Sequence, residues 1–323
     1  MKSNSTFLRA SVRSSLFLLL VMLLTQNSAF SQGCSSAGFC TMGVLKADQK
    51  FSSVRNLKLN YIEFNQLVAF SGLGEDIHAT TIDAAFSMGD KNQLQVRIPY
   101  VFVNGPFANT RGVGDIYIAY SRNIIKKKEY SISAMLGTKI PRASTNLTTE
   151  AGNPLPLYYS PSLGTNDIVL GASFINKKWL LGIGYQQPLF NATTDNQFSP
   201  LAWEGTELAE QATRYDASTN YKRGADIMLR LERNFRFGRY NFFLGSMPVF
   251  RVTSDQITDE DGNTTTLDDA RGLSLTGIVG GGYSINARMM IKVFYGNTLI
   301  RKDVNPDGLL KTSVITLTAK YNF

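Results

Sequence analysis

The chain has 323 residues and a formal net charge of +8, and 43% of its residues are hydrophobic. Its Lys and Arg are scattered rather than clustered, which argues against nucleic-acid binding. Two cysteines and a single histidine give little support to a metal centre, and no cofactor is expected. A near-neutral mean hydropathy does not exclude a membrane barrel, because lipid-facing and lumen-facing residues alternate in such a protein.

Residues 1–31 have the pattern of a secretory signal peptide. Lys2, Arg9 and Arg13 provide a positive start, and residues 16–24 form an apolar run that is too short to span a bilayer. Small residues around Ala29 and Ser31 suit a signal peptidase, so the exported chain is expected to begin at residue 32. Residues 32–52 then form an N-terminal arm that either leads in from the periplasm or enters the lumen.

Cys34 and Cys40 lie in this arm and are the only cysteines. In an oxidising compartment a local disulfide between them is expected. Two alternatives have less support. Acylation of Cys34 lacks the usual preceding Leu-type residue, and a metal site would have two thiols and no nearby histidine.

Strand patterns dominate the remaining sequence. In Lys91–Val103, Leu94, Val96 and Ile98 alternate with polar residues, and similar segments recur along the chain. Most are close to the ~9–11 residues that a tilted strand needs to cross a bilayer. The predicted strands are 55–70, 76–88, 91–103, 115–125, 130–140, 167–175, 179–187, 225–233, 240–252, 273–283, 287–296 and 316–323.

This count of twelve is even, as in bacterial barrels. In the first strand, Leu57 and Tyr61 share one phase while Ile62 and Phe64 share the other, which indicates a bulge or a wrong boundary.

The connections alternate in length, and this pattern supports the same architecture. Tight turns such as Gly89–Asn92 alternate with long polar segments, as the periplasmic turns and outer loops of a barrel do. The long segments are 104–114, 141–166, 190–223, 253–271 and 297–310. We therefore predict an all-β fold, with residues 53–323 forming one closed antiparallel transmembrane barrel of about twelve strands in the bacterial outer membrane, in contact with its lipids.

The last strand places Leu317, Ala319, Tyr321 and Phe323 on one face. A strand that is apolar on one face and ends the chain on Phe resembles the closing strand of outer-membrane barrels. The resemblance implies that the barrel-assembly machinery recognises this strand.

Three shorter segments carry a second resemblance. Leu94–Tyr100, Gly112–Ile116 and Gly137–Pro141 resemble, in this order, motifs of the outer-membrane transporter family named for the MetA pathway of phenol degradation. The usual Pro-Thr-Gly is replaced here by Pro-Arg-Ala at residues 141–143. The resemblance implies a channel for small compounds, aromatic or apolar ones among them.

Polar residues on the inward phase would line the lumen. These candidates for a solute path are Gln93, Gln95, Arg97, Lys139, Gln186, Arg230, Glu232 and Lys292, and Asp83 and Lys320 share their phase. Cations outnumber carboxylates in this set, which favours anionic or neutral polar solutes in an open lumen. Alternatively, the charges pair across the lumen and close it.

The predicted function is therefore passive or weakly selective passage of small solutes across the outer membrane. The alternative is a non-transporting structural or adhesive barrel whose outer loops bind a partner. An enzyme is not expected. His78 is the only histidine, and Thr80 rather than Ser follows it on the same face, with no orienting acid or amide evident.

Overall fold

The structure is a computed structural model, and it describes residues 42–46, 57–189, 193–308 and 311–323. The predicted signal peptide, most of the N-terminal arm and both Cys34 and Cys40 lie outside these ranges. Among the described residues, no helix is long and apolar enough to cross a membrane.

The described chain forms a closed antiparallel sheet in which each strand pairs with its neighbours along the sequence, and the last strand pairs with the first. Because β4 and β5 continue each other, the thirteen strands of this sheet make twelve barrel strands. The barrel strands are β1 (Leu57–Ser71), β2 (Asp76–Met88), β3 (Asn92–Asn104), β4 (Asn109–Val113), β5 (Ile116–Lys126), β6 (Tyr130–Ile140), β7 (Asp167–Asn176), β8 (Trp179–Pro188), β9 (Asp226–Phe237), β10 (Tyr240–Arg251), β13 (Gly272–Ser284), β14 (Met289–Ile300) and β15 (Lys311–Asn322).

The remaining elements are not part of the barrel wall. Strands β11 (Asp255–Thr258) and β12 (Thr264–Leu267) form a separate hairpin, and helix α1 spans Ala209–Ala212. Short 3-10 helices span Gly43–Leu45, Leu157–Tyr159, Pro200–Trp203 and Asp268–Ala270.

Closure of the sheet follows from the pairing of β1 with β15, which runs from Tyr61 opposite Asn322 to Ser71 opposite Lys311. The pairing leaves neither strand with an open edge, which is what a hydrogen-bonded wall needs in lipid. The prediction of a closed antiparallel barrel of twelve strands is confirmed.

Side-chain alternation separates the two faces of the wall. On β2, Ala79, Thr81 and Asp83 are buried inside, while Ile82 is exposed on the outer face. Leu136, Leu244 and Leu317 are exposed in the same way on β6, β10 and β15. The outer face is thus an apolar band suited to lipid, because charged side chains are costly there.

Two irregularities of the wall bear on the sequence predictions. The pairing of β1 with β2 shifts between Leu59 and Tyr61, which explains the change of phase seen in the sequence. β3 pairs first with β5 and then with β4, so residues 109–113 extend the hairpin where the sequence predicted a loop over 104–114.

The barrel has two unlike ends. At one end, here called the turn end, the connections are 89–91, 127–129, 177–178, 238–239 and 285–288. At the other, here called the loop end, residues 141–166, 189–225, 252–271 and 301–310 form long connections. The connection 72–75 is also at the loop end but is short. β15 begins at Lys311, five residues before the predicted start at 316.

Candidate functional site

A short N-terminal segment occupies the lumen. The 3-10 helix Gly43–Leu45 lies against β5, β6, β7 and β8, and its residues are buried. Met42, Val44 and Leu45 pack with inward side chains of the wall, among them Met135, Val169, Met228 and Met247. We call residues 42–46 the plug.

Gly43 is required where the plug touches the wall. Its φ of +45° lies in the left-handed region that favours glycine. A Cβ there would come within 2.1 Å of Met135 Sδ and 2.7 Å of Ser121 Oγ. The Gly43 backbone N–H donates to Gln95 Oε1 at 2.6 Å, so Gln95 anchors the segment directly.

The plug is also held by charge. Lys46 Nζ contacts Glu63 and lies 2.8 Å from Asp83 Oδ2. Arg97 Nη2 lies 3.0 Å from the same Asp83 oxygen, and Gln95 Nε2 donates to both oxygens of Asp83 at 2.7 Å.

Two further lysines complete this group. Lys320 Nζ and Lys292 Nζ lie 3.3 Å and 3.5 Å from Glu63 Oε1. The Lys320 ammonium also sits 3.9 Å from the centre of the Tyr61 ring, a cation–π contact. We call Lys46, Glu63, Asp83, Arg97, Lys292 and Lys320 the plug ion cluster. Its four cations outnumber its two carboxylates.

A second group of charges lies towards the loop end. Lys139 Nζ lies 3.1 Å from Asp167 and 3.3 Å from Asp115. Arg251 lies 2.5 Å from Asp226 and 2.8 Å from Asp307. We call this group, completed by Arg223 and Asp255, the loop-end ion cluster.

Burial alone would raise the pKa of Asp307, but Arg251, Lys302 and Arg223 outweigh burial and hold that pKa below its ordinary value. The Asp307 carboxylate therefore stays ionised and available to these cations at neutral pH.

Above this cluster, aromatic residues of the long connections fill the mouth of the barrel. Phe107 lies 4.5 Å from Trp203 and 5.3 Å from Tyr215 between ring centres. These rings pack with Tyr158, Tyr159 and Phe198 over Val101 and other inward residues of β1–β3. We call this packed group the aromatic cap.

The structure places the side chain of every predicted solute-path residue on the lumen side of the wall. These side chains form separate groups. Gln95, Arg97 and Lys292 meet in the plug ion cluster. Lys139 and Gln186 meet at Asp167, and Arg230 pairs with Glu232. Gln93 is buried, and neither atom of its amide finds a hydrogen-bond partner within the described ranges. These ion pairs join residues of one strand or of strands close together in the sheet, so pairing of the charges across the lumen stays a prediction.

Several residues of these clusters were not in the predicted set. Asp167 and Asp226 begin β7 and β9 in the inward phase of Val169 and Met228, so alternation extended to the strand ends could have found them. Lys46 lies outside any alternating segment and gives no such signal. Asp115, between β4 and β5, was also outside the predicted set. It accepts from Ser162 Oγ and from the Leu163 N–H at 3.4 Å, and it pairs with Lys139.

The surroundings of His78 offer no support for nucleophilic catalysis. Its cross-strand neighbours are Val68 and Phe102, which can act neither as nucleophile nor as orienting group. Thr80 donates to Gln66 at 2.7 Å.

No protein-family model matches the chain, and no curated protein matches it in sequence. Among solved structures, the chain is similar to the COG4313 outer membrane channel from Pseudomonas putida F1. The TM-score is 0.56 at 11% identity, over 85% of this chain and 98% of that one. The fold is that of an outer-membrane β-barrel. This fold, together with the apolar outer face, indicates a protein of the bacterial outer membrane.

Two other solved barrels are similar at a lower level. The NanC porin has a TM-score of 0.45 at 8% identity, over 81% of this chain and 100% of that one. The CymD monoaromatic hydrocarbon channel has a TM-score of 0.41 at 7% identity, over 91% and 94%. Similarity at TM-scores below 0.5 adds nothing to the fold assignment. The narrower resemblance to the family named for the MetA pathway stays a prediction.

Proposed function

We propose that this outer-membrane barrel is a channel for small solutes, and that the plug closes it in the conformation described here. The single observation that carries the proposal is that a non-wall segment occupies a lumen lined with polar and charged residues. A purely structural barrel can fill its lumen with wall side chains alone. Here, residues 42–46 lie outside the hydrogen-bonded sheet and can leave without breaking it.

The charge around the plug supports anionic or neutral polar solutes. When Lys46 leaves with the plug, Arg97, Lys292 and Lys320 remain on the wall near Glu63 and Asp83. Three cations against two carboxylates still give a positive constriction, and rings of basic side chains select for anions. The long connections lie outside the cell and the turn end in the periplasm, as in other outer-membrane barrels.

A disulfide lock tests whether the plug gates the channel. A Cβ at Gly171 would lie 3.4 Å from Leu45 Cγ, so cysteines at these two positions are within bonding range. We expect Leu45→Cys/Gly171→Cys, with Cys34 and Cys40 replaced by Ser, to conduct less when oxidised and to recover on reduction. Single-channel recording in planar bilayers measures both states.

Each single cysteine variant in the same Ser background is the matched control and should not respond to oxidation. Equal conductance of the locked and reduced forms would contradict gating by the plug.

Lys46→Glu places a third carboxylate beside Glu63 and Asp83. Repulsion among the three carboxylates should push the plug out of the lumen and raise the open probability of the channel.

The second candidate function is a non-transporting barrel, and the paired charges together with the aromatic cap favour it. Its outer loops would then bind a partner. Silence of the wild type, of Lys46→Glu and of the reduced cysteine variant, across solutes and voltages, would support this candidate over the channel.

A further inference from the structure

The two ends of the barrel carry charge of opposite sign. The five connections of the turn end contain seven cations and two carboxylates, whereas the five loop-end connections contain fifteen carboxylates and seven cations. Every connection of the turn end carries at least one cation, and all seven are exposed. They are Lys91, Lys127, Lys128, Lys177, Lys178, Arg239 and Arg288. Positive charge therefore surrounds this mouth of the barrel instead of gathering on one side of it.

Cations at this end lie against aromatic rings. Lys127 Nζ lies 5.6 Å from the centre of the Tyr130 ring. Arg233 follows the inward Glu232 on β9, so its side chain points outward, and its guanidinium lies 5.0 Å from the centre of the Trp179 ring. A cation held over a ring in this way stays at the depth of that ring in the membrane.

The closing strand has a similar contact. Arg288 Nη1 donates to the Tyr321 hydroxyl at 3.4 Å, and Tyr321 is 37% exposed on the outer face. Aromatic rings near the ends of barrel strands lie at the interface between hydrocarbon and headgroups. We call Lys127, Arg233 and Arg288 the interface cations. They lie between β5 and β6, on β9, and between β13 and β14, so they face three different sectors of the surrounding membrane.

The interface cations suit an anion that the membrane itself supplies. Among the described residues, no carboxylate lies within ion-pair distance of any of the three. A phosphate group accepts charge-assisted hydrogen bonds from Lys and Arg, and an anionic leaflet attracts basic residues near its surface. A protein partner would cover one sector of the rim. Lipid surrounds the whole barrel and reaches all three sectors, so the distribution of the cations favours lipid.

We propose that the turn end binds anionic phospholipids, and that the interface cations hold the phosphate groups of these lipids. With the turn end in the periplasm, the lipids belong to the periplasmic leaflet. The excess of carboxylates at the loop end repels the same headgroups, so selectivity for anionic lipid comes from the turn end. Binding does not depend on conduction through the lumen, so a failure of the channel proposal leaves this one standing.

The test measures whether the barrel prefers lipids with a charged headgroup. The full chain is reconstituted in phosphatidylcholine vesicles that contain a trace of spin-labelled phosphatidylglycerol or spin-labelled phosphatidylcholine. Electron paramagnetic resonance then gives the fraction of each label that the barrel immobilises. Both leaflets have the same composition, so the direction of insertion does not affect the result. We expect the association constant of phosphatidylglycerol to exceed that of phosphatidylcholine several-fold.

The triple variant Lys127→Gln/Arg233→Gln/Arg288→Gln removes the interface cations and keeps polar side chains in their place. We expect it to associate almost equally with the two lipids, because the donors to the phosphate group lose their charge. A preference for phosphatidylglycerol as large as that of the wild type would overturn the proposal.

The matched control is Arg142→Gln/Arg214→Gln/Arg271→Gln, which removes three exposed cations from the loop end. It changes the net charge of the protein by the same amount, and it should keep the preference of the wild type. An equal loss of preference in both triple variants would assign the effect to net charge and would contradict a binding surface at the turn end.

Salt gives an independent test on the wild type. Raising the salt concentration from 0.1 M to 1 M shortens the Debye length from about 10 Å to about 3 Å, so the preference for phosphatidylglycerol should fall. An unchanged preference at 1 M salt, or equal association of the two lipids at 0.1 M, would overturn the proposal. Retention of the wild type on cell-wall sacculi, without any lipid preference, would also overturn it and would assign the basic end to the cell wall.

Discussion

Glu63 has the most ionic partners of any residue in the plug ion cluster. Its side chain is buried, and its two oxygens contact Lys46, Lys292 and Lys320. Glu63→Gln keeps the shape of the side chain but leaves the four cations of the plug ion cluster with one carboxylate, that of Asp83. Breaking a buried ion pair by removing one partner costs ~3–5 kcal/mol. We expect a loss of this size in the free energy of unfolding, measured by urea titration in detergent with tryptophan fluorescence.

The control for this change is Glu150→Gln, because Glu150 is exposed in connection 141–166. Surface charges of this kind contribute little to stability, so the control should unfold like the wild type. Equal stability of Glu63→Gln and Glu150→Gln would show that water solvates the plug ion cluster and that the ion pairs do not hold it together.

The plug is the element whose removal should change function without changing the wall. Gly43→Ala would put a methyl group against Met135 and Ser121 at a φ that alanine rarely adopts. The plug must then move away from Met135 and Ser121, while the pairing of β5 with β6 is unchanged. We expect the open probability in planar bilayers to rise several-fold, with little change in the wall measured by far-ultraviolet circular dichroism.

Gly152→Ala controls for backbone strain in this experiment. Gly152 also has a positive φ, of +87°, but open space surrounds it in connection 141–166. An increase in open probability for Gly152→Ala as large as that for Gly43→Ala would mean that strain anywhere in the chain opens the barrel, and the specific role of the plug would be lost.

The elements differ in how far the sequence alone could predict them. Alternation along strands such as β3 reports directly which face meets lipid, so the twelve strands and the inward Arg97 and Lys139 could be predicted. For the N-terminal arm, the sequence left open whether residues 32–52 lead in from the periplasm or enter the lumen. It could not decide, because three residues in a 3-10 helix show no periodicity and their burial depends on a barrel that forms elsewhere in the chain. The separation of the inward charges into clusters depends on strand order and register, which alternation does not encode.

At the scale of the whole molecule, the net charge of the lumen should set its ion selectivity. Lys292 is among the more exposed cations of the plug ion cluster, with 18% of its side chain accessible. Lys292→Glu changes the cluster from four cations and two carboxylates to three of each. We expect the reversal potential in a salt gradient to shift towards the value for cations.

Lys178→Glu makes the same change of charge at an exposed turn outside the lumen. It should leave the reversal potential near that of the wild type, because exposed charges farther than about 10 Å from the path are largely screened at 0.1 M salt. Identical shifts for both variants would place the selective region at the turn end rather than beside Glu63.

We propose that Phe323, which follows β15, contributes to assembly of the whole barrel. Phe323 is 53% exposed on the lipid face, its ring lies 4.9 Å from that of Tyr321, and its backbone N–H donates to Asn60. Phe323→Ala keeps the backbone bond that helps to close the wall, so the purified protein should refold in detergent as the wild type does. If the barrel-assembly machinery recognises the terminal aromatic ring, the fraction inserted into the outer membrane of cells should fall several-fold.

Phe237→Ala separates recognition from lipid contact. Phe237 is 63% exposed and also lies at the turn end, where aromatic rings suit the membrane interface. Phe237→Ala removes a similar contact with lipid, but at a position far from the C-terminal strand. A comparable insertion defect in both variants would assign the effect to the aromatic belt. A defect confined to Phe323→Ala would assign it to the end of β15, because only there does a lost ring alter the closing strand.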